Sequence, residues 1–333
     1  MSISNELSFS SSLIKYLNNP YALESYINNK CSAVCAHVSP EGSCNLECSY
    51  CQVKKTTNRL ELRTIKKFID SLSRNGLKSV ILTGGGEPLL YPEINELIKY
   101  IKKNNLKLGI ITNGTLFTRL DDISISSFEW IRISINNPIL NCVNILNDLK
   151  KQLHRIPKTC NIGISYVCGT NIVKLEEKIN KILSITNECN IDYVRISTDR
   201  FLSVKEMNDI KVKITNVLSN IDKSKIMLTD KLYKAPCSNV CHRSYFKPYL
   251  SEIPYDEYTN GSILPCGCVV HGRDNVDIKK YMLCKPDEIL KFVNKNICFP
   301  FSPNTLCDKC EYSDIIDTLE YLTESNIIHK EFL

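Results

Sequence analysis

The sequence predicts an α/β fold: a parallel sheet wound from six strand-helix units, followed by a small cysteine-rich C-terminal domain. Three observations carry this. Between residues 34 and 200 short β-rich runs alternate with amphipathic helical stretches, which is the pattern of βαβ units with right-handed crossovers. At 333 residues the chain is long enough for one barrel-sized domain plus an appendage. From about residue 230 the alternation fails, and Cys, Pro, Tyr and Gly accumulate instead.

Taken in order, residues 1–33 form an N-terminal helical cap or extension. A first strand at 34–38 leads into a cysteine-bearing loop and a helix at 60–75. The run Val80-Ile-Leu-Thr83 marks a second strand over 79–83, with a helix at 91–104 and a third strand at 106–112. Strands at 130–135, 162–167 and 193–197 follow, separated by helices at 140–154 and 172–185. A helix over 203–220 closes this domain, which spans 34–225. Residues 226–333 form the second domain, with a late helix at 312–322. Such repeats wind into an open sheet or curl into a barrel, and in both the ligands bind at the carboxyl ends of the strands.

Composition narrows the function. Hydrophobic residues are 43% and charged ones 23%, and no apolar run approaches the roughly eighteen residues a membrane span needs. The N-terminus, MSISNELSFSSSLIKYLNN, has no secretory pattern, so a cytoplasmic location and no membrane partner are expected. The net charge of +6 comes from Lys scattered among Asn and Ile, which argues against a nucleic-acid partner. Seventeen cysteines in a chain without an export signal point to metal ligation, catalysis or burial rather than to disulfides. Cys142, Cys160 and Cys189 stand singly and read as core residues. Apart from Cys168, the others crowd into 31–51 and 237–310.

The loop after the first strand reads Cys44-Asn-Leu-Glu-Cys48-Ser-Tyr-Cys51. Three thiolates on one tight loop suit three corners of a cubane iron-sulfur cluster and leave the fourth iron open. The spacing alone arises by chance ~0.04 times in a chain of this composition. A structural zinc site is the competing reading, with Cys35 or Cys31 as fourth ligand. At the next strand end stands Gly84-Gly85-Gly86-Glu87-Pro88. Glycine there lets a ligand approach the backbone, and Glu87 offers an acceptor for an ammonium group.

A CxxxCxxC loop followed one βα unit later by a Gly-Gly-Glu strand end resembles the radical S-adenosylmethionine (radical SAM) superfamily. The resemblance, over roughly residues 34–220, implies a partial (β/α)6 TIM-like barrel. It implies that Cys44, Cys48 and Cys51 hold a 4Fe-4S cluster whose open iron chelates S-adenosylmethionine (SAM). It further implies that Gly85, Gly86 and Glu87 contact the SAM amino group and that Tyr50 borders the adenine. Thr112-Asn113-Gly114 resembles the family's turn after the third strand, and Ser134 a residue meeting the ribose or carboxylate. Asn136 stands where many members carry Asp. Ser165 and Arg195, at the ends of the fifth and sixth strands, are further cofactor-binding candidates. A flavodoxin or ferredoxin-type protein is the implied reductant.

The second cysteine region contains Cys307-Asp-Lys-Cys310, preceded by Gly261-Ser-Ile-Leu-Pro-Cys266 and Cys241-His-Arg-Ser-Tyr-Phe. This order resembles the SPASM and twitch extensions of radical SAM enzymes. The resemblance implies an auxiliary 4Fe-4S cluster on Cys241, Cys266, Cys307 and Cys310, with Cys237 and Cys268 as replacements. A zinc ribbon on the same residues is the alternative. His242 and His271 read as surface histidines. A free thiol facing a substrate radical would return a hydrogen atom, and Cys168 and Cys268 are the candidates. The chain therefore reads as a radical SAM enzyme acting on a small polar metabolite or a peptide by oxidation, crosslinking or epimerisation. The competing class is a non-catalytic, zinc-stapled module binding nucleic acid or protein.

Overall fold

The protein is described by a computed structural model over residues 12–135, 150–169, 174–219, 225–228, 234–267, 277–307 and 310–323. Two short helices, α1 (Ser12–Leu17) and α2 (Pro20–Ile27), lead into β1 (Cys35–Val38). Then come α3 (Leu62–Ser73), β2 (Ser79–Leu82), α4 (Ile94–Lys103), β3 (Lys107–Thr112), β4 (Trp130–Ile135) and β5 (Asn161–Cys168). The alternation continues with α5 (Leu175–Glu188), β6 (Tyr193–Thr198), α6 (Val204–Leu218) and β7 (Ile226–Leu228). The C-terminal part adds α7 (Arg243–Phe246), β8 (Tyr249–Ser251), β9 (Ser262–Leu264), α8 (Ile289–Val293) and α9 (Ser313–Tyr321).

All nine strands among the described residues lie in one sheet, in the order β7-β6-β5-β4-β3-β2-β1-β8-β9. Every neighbouring pair is parallel except β8 with β9. This is the parallel-dominated sheet of a partial TIM-like barrel. β1, β2 and β4 alternate strictly: Ile131, Ile133 and Ile135 of β4 are buried while Trp130, Arg132 and Ser134 are half-buried, as a period of two requires. The buried set meets one stripe of each helix. Leu62, Ile65, Phe68, Ile69 and Leu72 of α3 lie on such a stripe, as do Ile94, Leu97, Ile98 and Ile101 of α4. The opposite face of the sheet, turned inward, carries the polar residues.

The helix expected from residue 91 starts at Ile94. Pro88 opens a 3-10 turn and Pro92 follows Tyr91, and a proline is tolerated only at a helix's first turn. Of the helix expected at 140–154, residues up to 149 lie outside the described part, and a 3-10 turn at Leu153–Arg155 ends it. Cys160 and Cys189 are buried core residues as expected, while Cys142 lies outside the described residues.

Residues 226–333 were expected to stand as a second unit after the sheet. In the structure this segment contributes strands at both edges of the sheet, β7 against β6 and β8 against β1. Strands of three residues are too short to leave an alternation in the sequence. The N-terminal cap packs on the same segment. Tyr16 and Tyr26 each lie 4.9 Å, ring to ring, from Phe246, and the Tyr26 hydroxyl hydrogen-bonds Nδ1 of His242. His242, expected at the surface, is therefore buried; His271 lies outside the described residues.

Candidate active site

The carboxyl end of the sheet gathers the cysteine loop, the glycine strand end and the turn after β3. Backbone hydrogen bonds fix the loop before any side chain acts. Ser39 N–H donates to Leu250 of β8 (2.9 Å), and Gly42 and Asn58 are joined at 2.9 Å. Arg59 pairs with the buried carboxylate of Glu41 at 2.7 Å, and that carboxylate also accepts from Ser43. The strand end is then strapped to the loop: Gly86 N–H donates to the Glu41 carbonyl and Glu87 N–H to the Ser43 carbonyl, both at 2.8 Å.

This strapping explains the glycines. A Cβ on Gly86 would lie 1.9 Å from the Ser43 carbonyl oxygen, and one on Gly85 2.0 Å from Oε1 of Glu252. At Gly86 the space a side chain would fill is taken by the main chain of Gly42 and Ser43, so glycine there lets the strand end and the cysteine loop meet.

Glu87, the expected acceptor for an ammonium group, is held by the protein's own donors. It is 2% exposed, and its carboxylate accepts from the Thr112 hydroxyl (2.6 Å), Leu89 N–H (3.0 Å) and Asn113 N–H (2.7 Å). Burial raises its pKa against those hydrogen bonds. The side chain braces the ends of β2 and β3. Asn113, braced by that contact, reaches Asn45 Oδ1 at 2.8 Å and Cys44 Sγ at 3.9 Å.

The three thiols are half-buried neighbours on this loop. Cys51 N–H donates to the Cys48 carbonyl at 3.0 Å, turning the segment. Burial pushes the Cys44 thiol up, and the charge of Cys51 reaches it. Tyr50 is raised by burial and by Cys48 and Cys51. Among the described residues no three His, Cys, Asp or Glu side chains stand in metal-binding geometry. The donor set nonetheless fits the cluster: three sulfur ligands on one loop, next to a rim whose main chain is already fixed.

Sequence reasoning missed Glu252. It follows β8, is 2% exposed, lies against Gly85 and keeps Oε1 without a partner. Burial pushes its carboxyl up to about 7. Only the pairing of β8 with β1 brings it here, and nothing local in the sequence signals that.

Ser134, Ser165 and Arg195 fall in one register row across β4, β5 and β6 on the inward, half-buried face. Cys168 does not join them. Three residues beyond Ser165, it takes the helix-facing side, is 2% exposed, and has its thiol pushed up to about 12 by burial. A hydrogen donor to the inward face cannot sit there. Cys268 and Asn136 lie outside the described residues.

At the far end Cys241, Cys307 and Cys310 come close enough for their charges to act on one another, and Arg243 feels both Cys241 and Cys266. Cys310 N–H donates to the Lys234 carbonyl at 3.0 Å. Cys237 is exposed.

The Radical SAM superfamily profile matches residues 38–139. A stretch of 155 residues is 32% identical to 7-carboxy-7-deazaguanine synthase of Clostridium acetobutylicum, covering 38% of this chain and 70% of that protein. The antilisterial bacteriocin subtilosin biosynthesis protein AlbA of Bacillus subtilis is 34% identical over 79 residues, 23% of this chain and only 17% of AlbA. Among solved structures, Streptococcus suis SuiB bound to precursor peptide SuiA superposes with a TM-score of 0.58 at 14% identity. It covers 84% of this chain and 69% of that one. Native anSMEcpe with bound AdoMet and Cp18Cys peptide gives 0.57 at 13% identity, over 90% and 85%. With a relative matched at this identity over most of its length, and with a cysteine rim on a parallel sheet, the chain belongs to the radical SAM superfamily.

Proposed function

We propose that this protein binds a 4Fe-4S cluster through Cys44, Cys48 and Cys51, cleaves SAM reductively, and uses the result to modify a peptide. The observation that carries the reading is the strapping of the cysteine loop to the Gly85-Gly86-Glu87 strand end. When bound, the reduced cluster would supply one electron to the sulfonium of SAM, whose C5′–S bond would break to give methionine and a 5′-deoxyadenosyl radical able to abstract hydrogen from an unactivated C–H bond. The protein's part is positional. The Gly85 and Gly86 main chain lines the rim, Glu87 holds Asn113 against the cysteine loop, and Tyr50 offers a ring face beside it. Ser134, Ser165 and Arg195 line the inward wall, where hydroxyl and guanidinium donors orient the cofactor or the substrate.

We further propose that Cys241, Cys266, Cys307 and Cys310 carry an auxiliary 4Fe-4S cluster, which would accept the electron left after hydrogen abstraction and permit net oxidation. A peptide substrate is supported by the bound peptides of SuiB and anSMEcpe, whose folds align with most of this chain. A flavodoxin or ferredoxin-type protein would deliver the first electron.

Anaerobic reconstitution with iron and sulfide tests the reading. Brown protein absorbing near about 400 nm that converts SAM to 5′-deoxyadenosine under reduction supports it. Deuterium passing from a labelled peptide into 5′-deoxyadenosine identifies the substrate. Colourless protein with stoichiometric zinc at both sites sinks it.

A further inference from the structure

Below the rim, the inward face ends in a floor of aromatic rings and cations. His37, Ile81, Gly109 and Trp130 form one register row across β1 to β4. Trp130 lies over Gly109, where a Cβ would come within 2.2 Å of its ring, and Tyr193 covers Gly163 in the same way at 2.1 Å. Arg132 is held between the two rings, with Nε 3.4 Å from the Tyr193 hydroxyl and its guanidinium carbon 5.3 Å from the centre of the Trp130 ring. Lys247 stands in the turn before β8, where His37 N–H donates to the Pro248 carbonyl at 3.0 Å and the His37 ring meets Tyr249.

These groups act on one another, and among the described residues no carboxylate pairs with Arg132, Arg243 or Lys247. Burial first, then the charges of Lys247, Arg243 and Arg132, hold the His37 imidazole far below its usual range, so it is neutral. Burial also brings the Lys247 ammonium down to about 8, with Arg243 and Arg132 acting in the same direction. The Nε2 of His37 is buried without a hydrogen-bond partner. Unpaired charge and orphaned polar atoms inside a protein are costly unless something completes them. Arg243 has the thiols of Cys266 and Cys241 beside it, whereas the thiol acting on Lys247 is Cys35, also on the inward face.

We propose that His37, Arg132 and Lys247 form a substrate subsite for an anionic group, a carboxylate or a phosphate, held on the floor beneath the cysteine rim. This rests on the radical SAM reading only in making the bound molecule the substrate. Guanidinium and ammonium supply the charge-assisted hydrogen bonds such a group takes. His37 Nε2 adds a neutral donor when its proton sits on that nitrogen. An acidic side chain of a peptide and a phosphorylated metabolite present the same chemistry, and the test separates them.

Calorimetric titration of the reconstituted full chain, under anaerobic conditions, uses inorganic phosphate in one arm and succinate in the other. The wild-type protein is expected to take up one of them saturably, and which one identifies the source. Arg132→Gln and Lys247→Met are each expected to weaken that binding by about tenfold or more, while Arg132→Lys and Lys247→Arg retain most of it. SAM cleavage is measured on the same wild-type sample. Cleavage without anion uptake overturns the subsite alone, and anion uptake without cleavage overturns the radical SAM function alone. The subsite also falls if the neutral variants bind like wild type or the charge-keeping variants lose as much as the neutral ones. It falls equally if Lys247→Met strips iron from the C-terminal thiols with anion uptake unchanged.

Discussion

Cys44, Cys48 and Cys51 share one loop, which main-chain hydrogen bonds tie to β2 and β8. Cys241, Cys266, Cys307 and Cys310 come from three separate segments of the C-terminal part. The main chain around the first set is held by the protein's own hydrogen bonds. The second draws its order from the fold and would return some of it when loaded, because ligand binding to a site assembled on folding is itself folding free energy. The first site should therefore fail chemically when damaged, and the second structurally.

Removing one ligand at the rim is the sharpest way to break that contrast. Cys48→Ser is expected to lower 5′-deoxyadenosine formation by at least ~10³-fold with little change in the far-ultraviolet spectrum, read by chromatography of the product and circular dichroism. At the second site, Cys307→Ala with Cys310→Ala should release about half of the bound iron and lower the melting temperature, while SAM cleavage persists. If cleavage disappears as well, the two sites are not separable in this way.

Smaller effects test the rim's scaffold. Glu87→Ala leaves the Thr112, Leu89 and Asn113 donors without their acceptor, for an expected loss of about 2–4 kcal/mol in denaturant unfolding. Glu252 gives a pH signature. Its folded-state pKa is raised to about 7, so the stability it contributes is present below the ordinary carboxyl range and is lost as pH rises through about 7. The stability gained by Glu252→Gln should be larger at pH 8.5 than at pH 5.5 by about 2 kcal/mol. Smallest of all, Cys168→Ala should leave the turnover product unchanged, since its thiol faces the helices. An altered product would return it to the site.

How much was legible in the sequence follows the same division. β4 falls where the period-two pattern puts it, and the cysteine loop could be read because its ligands are neighbours in the chain. β8, β9 and Glu252 could not, because they depend on a parallel pairing between distant segments that leaves only three-residue strands as a trace. The glycines were recognised, but as room for a ligand, whereas their close contacts are with Ser43 and Glu252. Cys168 shows a constraint that was available. Ser165 and Cys168 are an odd number of residues apart on one strand, so they cannot both face inward.

The pairing of β1 with β8 also has a consequence for how the protein is made. β1 carries the cysteine loop, yet one of its edges is satisfied by the segment from Phe246 to Leu250. Until the ribosome has delivered those residues, that edge and the strand's apolar side chains stay open to wrong partners. A pairing of such high sequence separation also forms late in folding. Insertion of iron at the rim should therefore follow release of the chain rather than accompany its synthesis, and truncations ending before β8 should aggregate.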